Sequence, residues 1–347
     1  MYRRKIGLAI VLIVAGLGLY FTFVFYRVFF ASNTAFNNPV SYVFIPSQAG
    51  IVELLSELEP LLKSTEDFKL VAEKKGYDRR VRGGKYALYQ GMNNNEMINV
   101  LRSQPLAVKV TFNNMERLED LAGRVAAQIE ADSVALLEQF KAPAFLKANG
   151  YNTQTALAMY IPNTYELFWN TTPQEFQKRM LKESLSFWNE RRREAAKAKG
   201  LTPVEVVTLA SIVHKETNRN DERPTIAQVY LNRLKRRMKL DADPTVVYAI
   251  KQTQGDFDLL IRRVLQKDLK ISSPYNTYKY RGLPPGPIMM PDISAIDAVL
   301  FSMPHNYLYF VVDPSQSGKH DFSRTLREHN RKAQKYYRWL NQQRLYR

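Results

Sequence analysis

Residues 6–26 carry no charged side chain. As a helix rising ~1.5 Å per residue, that run covers roughly the hydrocarbon thickness of a bilayer, and a soluble fold seldom hides so uniformly apolar a helix. Arg3, Arg4 and Lys5 precede it, and Arg27 closes it. Aromatic rings gather at its far end (Tyr20, Phe21, Phe23, Phe25, Tyr26, Phe29, Phe30), which suits a membrane–water boundary. A cleaved signal would have a shorter apolar core and small residues at the cut. Here bulky residues occupy those places, and Ala31-Ser32-Asn33 is a weak site. The expectation is a retained membrane-spanning helix over residues 6–30, with a basic tail at residues 1–5 left in the cytoplasm and the remaining chain outside. Chemistry that depends on ATP or nicotinamide cofactors is disfavoured in that compartment.

The 347 residues exceed one ordinary domain and suggest two beyond the membrane helix. The chain has no cysteine, which excludes disulfides and Cys-based metal or redox centres. Its formal charge is +17, from 50 Lys and Arg against 33 Asp and Glu. This balance favours an anionic partner: nucleic acid, acidic lipid or an acidic wall polymer. Zinc-finger spacing, an RNP-like aromatic motif and long basic blocks beside stacking rings are all missing, so nucleic acid falls behind.

Residues 31–40 read as a polar linker. Beyond it, Ser41-Tyr-Val-Phe-Ile-Pro46 reads as a strand, residues 51–62 and 68–75 as helices, Gly83-Gly-Lys-Tyr-Ala-Leu-Tyr89 as a turn and strand, and residues 93–101 as a helix. The result is a β-α-α-β-α module within residues 41–106. A second domain, 107–347, opens on the alternating strand Val108-Lys-Val-Thr-Phe112 and continues through helices to about residue 147. Residues 175–199 read as one charged helical stretch with Phe187 and Trp188 turned inward. The fold class expected is α+β.

The segment with most chemistry begins at Thr202-Pro-Val-Glu205, a capping box with proline at the first helical position. Counting back from Glu216, positions three, four and seven are Val213, Ile212 and Leu209, so Glu216 falls on the apolar stripe of its helix. A carboxyl held there loses hydration, and its pKa rises. A carboxylic acid protonated near neutrality is what protonating a glycosidic oxygen requires. From pattern alone, a helix-end Glu that bends into solvent or pairs with an Arg remains the alternative. Glycoside hydrolysis normally needs a second carboxylate, and Asp221, Glu222, Asp241 and Asp243 are the candidates. Asp243 could equally cap the helix that follows it. Ser273-Pro-Tyr-Asn-Thr-Tyr278 offers amide and hydroxyl groups beside rings, which can hold sugars or build an ordinary turn, and Gly282-Leu-Pro-Pro-Gly-Pro-Ile288 is a rigid turn. His214, His305, His320 and His329 have no HExxH spacing, and no Gly-x-Ser-x-Gly elbow is present, so neither a zinc site nor a serine hydrolase is expected.

These motifs together resemble the endolytic murein transglycosylases of the YceG-like family over nearly the whole chain. The resemblance rests on Leu209-Ala-Ser-Ile-Val-His-Lys-Glu-Thr217, Val229-Tyr-Leu-Asn-Arg-Leu234, Asp243-Pro-Thr245, Tyr275-Asn-Thr-Tyr278, Gly282-Leu-Pro-Pro-Gly286, Tyr307-Leu-Tyr-Phe-Val311 and Glu328-His-Asn330. It implies an enzyme of the bacterial inner membrane that cuts the bond between N-acetylmuramic acid and N-acetylglucosamine in nascent glycan strands. The muramoyl C6 hydroxyl replaces water as nucleophile, leaving a 1,6-anhydro end, and one Glu serves as acid and then base. That role falls on Glu216, with Asp243, Thr245, Tyr275, Asn276 and Tyr278 as cleft residues. The resemblance also implies a LysM-like character for the small module, seen in Gly84-Lys-Tyr and Gly91-Met, no cofactor or metal, and peptidoglycan synthases as candidate partners. Departures occur at Leu157, Asn163 and His214, where the family pattern has acidic residues. Simple hydrolysis assisted by Asp243 or Asp241, and a non-catalytic peptidoglycan-binding scaffold, are the competing expectations.

Overall fold

The computed structural model describes residues 2–315 and 318–342. Met1 of the basic tail, and residues 316, 317 and 343–347 of the expected second domain, lie outside the described residues. The chain divides into two compact units, an N-terminal one of residues 1–110, 127–131 and 165–172, and a C-terminal one made of the rest.

The N-terminal unit begins with α1 (Tyr2–Phe30), which takes in the basic residues as well as the apolar run. It is long and apolar enough to cross a membrane, by length and composition. β1 (Val40–Ile45) and β2 (Gly84–Tyr89) pair antiparallel, from Val40 opposite Tyr89 to Ile45 opposite Gly84. Val43 and Ile45 point into the core while Tyr42 and Phe44 remain exposed, the alternation a one-sided sheet imposes. α2 (Ile51–Leu58), α3 (Thr65–Lys74) and α4 (Asn94–Arg102) supply Leu54, Leu58, Phe68, Val71, Met97, Ile98 and Leu101 to the same core. The β-α-α-β-α order is the one expected. The last turns of α1 also join this core, with Val28 buried and Val24 and Phe29 packed beside it.

Residues 31–40 are not a free linker. Asn33 and Thr34 are both 5% exposed. Asn33 Nδ2 donates to Ser64 O and to Asn94 Oδ1, each at 2.7 Å, and its Oδ1 accepts from Ser64 N at 2.9 Å. Asn94 Nδ2 in turn donates to Val28 O at 2.8 Å, satisfying a carbonyl at the end of α1. A polar composition reads as a loop in sequence, yet these amides spend their hydrogen bonds inside the unit.

β3 (Ala107–Phe112) pairs with β4 (Asn163–Phe168), and the chain changes unit within each strand. In the C-terminal unit, α5 (Leu118–Ala126), α6 (Ser133–Phe140) and α7 (Pro143–Ala148) follow in turn, as expected. The charged stretch is two helices rather than one: α8 (Pro173–Phe187) stops before Trp188, and Asn189 caps α9 (Glu190–Ala198) by accepting from Arg192 N at 3.1 Å. Trp188 is buried at that break.

α10 (Pro203–Glu216) runs through the middle of this unit. Its capping box forms as expected, with Thr202 Oγ1 accepting from Glu205 N at 3.3 Å and Glu205 Oε2 accepting from Thr202 N at 2.8 Å. The sequence suggests a stripe, but every residue from 206 to 213 is buried. α11 (Arg223–Lys235), α12 (Asp243–Gln254) and α13 (Ile293–Leu300) enclose the helix through Ile226, Tyr230, Ala249, Ile296 and Val299. A small antiparallel pair, β5 (Tyr309–Val312) with β6 (His320–Ser323), and α14 (Leu326–Gln342) complete the unit. Together these elements make a mixed α+β protein.

Candidate active site

Burial of α10 decides what its last residue meets. The helix ends at Glu216, where the chain turns extended at Thr217. The Glu216 carboxyl is enclosed by protein although the residue keeps some exposed surface. Tyr230, on the buried face of α11, donates its hydroxyl to Glu216 Oε1 at 2.6 Å. Loss of hydration pushes the carboxyl up to about 7. The Tyr230 hydrogen bond opposes that rise, the charge of Asp243 adds to it, and Arg233 opposes it. The solvent-facing alternative for Glu216 is therefore not what the fold adopts.

Asp243 is the first residue of α12, not its cap. Ala242 occupies the cap position, and no side chain caps the helix. The Asp243 carboxylate instead turns to Tyr278, whose hydroxyl donates to Oδ1 at 2.6 Å. Asp241 takes a left-handed backbone conformation (φ 46°) and faces Arg233 at 3.6 Å. Arg233 also donates to Leu308 O at 2.7 Å and Leu240 O at 2.6 Å, so the turn before α12 and the approach to β5 close on one guanidinium. Asp221 and Glu222 are elsewhere: Asp221 pairs with Arg219 at 3.0 Å, and Glu222 accepts from His320 N at 2.8 Å.

Three adjoining cavities form a groove through this region. One, of about 540 Å³, is lined by Glu216, Tyr230, Arg233, Asp243, Tyr278, Tyr309 and His329. The next, of about 470 Å³, shares Glu216 and Asp243 and continues past Lys215, Tyr248, Lys251 and Glu116. A third, of about 430 Å³, shares Glu116 and Tyr248 and reaches Tyr275 and Leu157. Glu216 thus lies where two arms meet.

The residues expected in the cleft part company here. Asp243 and Tyr278 line the groove beside Glu216, and Tyr275 lines its far arm, packed on Tyr248 with ring centroids 4.7 Å apart. Thr245 and Asn276 are fully buried, which corrects their expected contact with substrate. Thr245 Oγ1 donates to Ala242 O at 2.7 Å and lies 2.8 Å from Thr277 Oγ1. Asn276 Nδ2 donates to Leu269 O and Ile271 O, each at 2.9 Å, and Oδ1 accepts from Tyr278 N at 3.0 Å. Their polar groups are consumed in holding the long connection between α12 and α13, which places Tyr275 and Tyr278. That connection is anchored again where Ile288 N donates to Ser211 Oγ of α10 at 3.1 Å.

Sequence reading missed Tyr230 and Arg233 as site residues. Their signal was present: polar side chains three apart on a helix with few solvent-facing positions. His214 points away from the groove and accepts from Asp292 N at 3.2 Å, with burial holding its pKa below the usual value. Its replacement of an acidic residue leaves Glu216's surroundings to Tyr230, Asp243 and Arg233. Leu157 is buried in the wall of the third cavity, and Asn163 is exposed at the start of β4.

The arrangement is one that can exchange a proton: a carboxyl raised by burial to about 7, hydrogen-bonded by a phenol, where two arms of a groove meet. The chain belongs to the YceG-like family, whose model matches residues 43–335. It is 30% identical over 311 residues to the endolytic murein transglycosylase of Bacillus subtilis, spanning 84% of this chain and 83% of that protein. It is 28% identical over 323 residues to the endolytic murein transglycosylase of Streptococcus pneumoniae, spanning 83% of this chain and 56% of that protein. Among solved structures, a yceG-like protein of Listeria monocytogenes aligns with a TM-score of 0.56 at 26% identity, covering 85% of this chain and 99% of that one.

Proposed function

We propose that this protein is a membrane-anchored endolytic transglycosylase of peptidoglycan. It cleaves the N-acetylmuramic acid–N-acetylglucosamine bond within nascent glycan strands. The observation that carries the reading is the Glu216 carboxyl, raised to about 7 in the middle of the groove. Kinship with the bacillar and streptococcal transglycosylases supports it.

Glu216, which its raised pKa keeps partly protonated at neutral pH, gives its proton to the glycosidic oxygen as the bond to C1 breaks. The resulting carboxylate then takes the proton of the muramoyl C6 hydroxyl, which attacks C1 and closes the 1,6-anhydro ring. Tyr230 holds the carboxyl and stabilises its charged form between the two steps. Asp243, a carboxylate beside the cleaved sugar, stabilises the positive charge developing at C1, and Tyr278 fixes its orientation. Tyr278 offers its ring to sugars, the buried Tyr275 backs Tyr248 in the far arm, and Thr245 and Asn276 position this segment from beneath.

The remaining assignments follow the same reading. Residues 6–30 anchor the chain in the inner membrane behind the tail 1–5, and the rest faces the periplasm or cell exterior. The module of residues 41–106 is LysM-like and touches glycan, residues 107–347 perform catalysis, and peptidoglycan synthases are the partners expected to supply nascent strands. No cofactor or metal enters this reaction.

Uncrosslinked glycan strands incubated with the protein should yield muramoyl ends lighter by one water than hydrolysis products, and Glu216→Gln should yield none. Products carrying that water would make the enzyme a hydrolase with Asp243 as second carboxylate, a reading its place beside Glu216 keeps in view. Strand binding without any product would make it a scaffold.

A further inference from the structure

The groove is not electrically uniform along its length. On one side of Glu216, Lys215 precedes it at the end of α10, and Lys251 projects from the last turn of α12. Both ammonium groups converge on Glu116: Lys215 Nζ lies 2.6 Å from Oε1 and Lys251 Nζ lies 3.0 Å from Oε2. Burial works against the charge of Glu116, but the hydrogen bonds from the two lysines outweigh it and hold the carboxyl below its ordinary range. One carboxylate between two ammonium groups leaves a positive charge uncompensated. Each ammonium has three N–H donors, and Glu116 is the hydrogen-bond partner each has among the described residues. Arg262 and Arg263 line the same arm. Asp243 stands with Glu216 at the junction and lines both arms; the opposite arm adds Asp241 and, among the described residues, no lysine, and its Arg233 is committed to two carbonyls and to Asp241.

We infer that the Lys215–Lys251 arm is a carboxylate subsite, which takes the acidic substituent of a muramoyl residue in the bound strand. This rests on the proposed action on peptidoglycan and adds which part of that polymer the groove reads. In such strands every second sugar bears a lactyl ether, whose carboxylate is either free or extended by an acidic peptide. Glu116 pins both lysines against the groove wall, where free lysine side chains would swing through solvent. The incoming carboxylate therefore meets preplaced donors in a part-buried site, where a charge-assisted contact is strong. On the other arm the same group would face Asp241 as well as the shared Asp243, with no lysine among the described residues to receive it. The charge difference thus sets the direction in which the strand lies across Glu216.

The test uses the full chain in detergent, carrying Glu216→Gln so that strands stay uncut, and measures binding of three preparations. One keeps its peptides, one is stripped to free lactyl carboxylates, and one is stripped and then converted to neutral methylamides. The neutral strands should bind about tenfold more weakly than the better of the two acidic ones. The acidic strand that binds more tightly identifies the carboxylate as lactyl or peptidic. Lys215→Met with Lys251→Met should erase the discrimination, and Lys251→Arg should keep it, which a merely structural lysine would not require. Glu116→Gln should tighten the acidic strands, an effect opposite in sign to a general loss of fold. Discrimination that persists in the double lysine variant would overturn the subsite. So would charge-blind binding by a chain whose Glu216 form still makes anhydro ends, leaving the transglycosylase reading intact. No binding of any strand would overturn both.

Discussion

Glu216 is the residue on which pH should act most. Its carboxyl passes from acid to carboxylate near pH 7, so kcat/KM should fall about tenfold per pH unit above that point in an initial-rate profile. Tyr230→Phe removes the hydrogen bond that favours the charged form. The alkaline limb should then move upward while kcat drops about tenfold, since a hydrogen bond to a charged group is worth roughly 1.5–3 kcal/mol. An unmoved limb would mean that Tyr230 does not tune the acid. The same shift has a stability consequence. A carboxyl whose folded pKa exceeds its ordinary 4.5 costs nothing below pH 4, costs progressively more between 4.5 and about 7, and keeps that cost above 7. Glu216→Gln should therefore raise stability at pH 8, by up to about 3 kcal/mol, and change little at pH 4. Denaturant titration at the two pH values separates these outcomes.

Among the elements, α10 and the connection between α12 and α13 carry the site. α10 is set by its capping box at one end and delivers Glu216 at the other, so Thr202→Ala should cost about 1 kcal/mol of stability without touching the groove. The connection is more exacting. A Cβ on Gly286 would stand 2.1 Å from the carbonyl oxygen of Gln154, a backbone atom that cannot step aside alone. Gly286→Ala should displace the segment that bears Tyr275 and Tyr278 and cost more than about 2 kcal/mol, read as a lower melting temperature together with weaker strand binding. A variant with native melting and binding would show that this turn adapts.

Across the whole molecule, the long apolar helix α1 is built into the N-terminal unit. The last turns of α1 lend Val28 to the core, and Asn33, Asn94 and Ser64 knot the following segment to α3 and α4. A soluble form that starts at Asn33 loses Val24, Val28 and Phe29, whereas one that starts at Phe23 keeps them. Amide exchange in α3 and α4 should be faster in the shorter form, because a hole in the core lowers the cost of opening. Equal protection would mean that the helix only tethers.

Sequence by itself settled what short-range physics governs. An uncharged run reads as a long apolar helix, alternation sets β1 and β2, and a capping box starts α10. Apolar residues three, four and seven places before Glu216 put it on the helix's apolar stripe, with the loss of its water left open. Each conclusion needs only neighbours a few residues away. The tertiary structure decided what depends on distant chain. It turned α10 from a striped helix into a buried one, and brought Tyr230, fourteen residues on, to the carboxyl. It moved Thr245 and Asn276 from the cleft into its supports, and used the polar residues 33 and 34 as internal ties. Side-chain type says that a hydroxyl or amide will find a hydrogen-bond partner; only the packing of remote segments determines whether that partner is substrate, solvent or the protein itself.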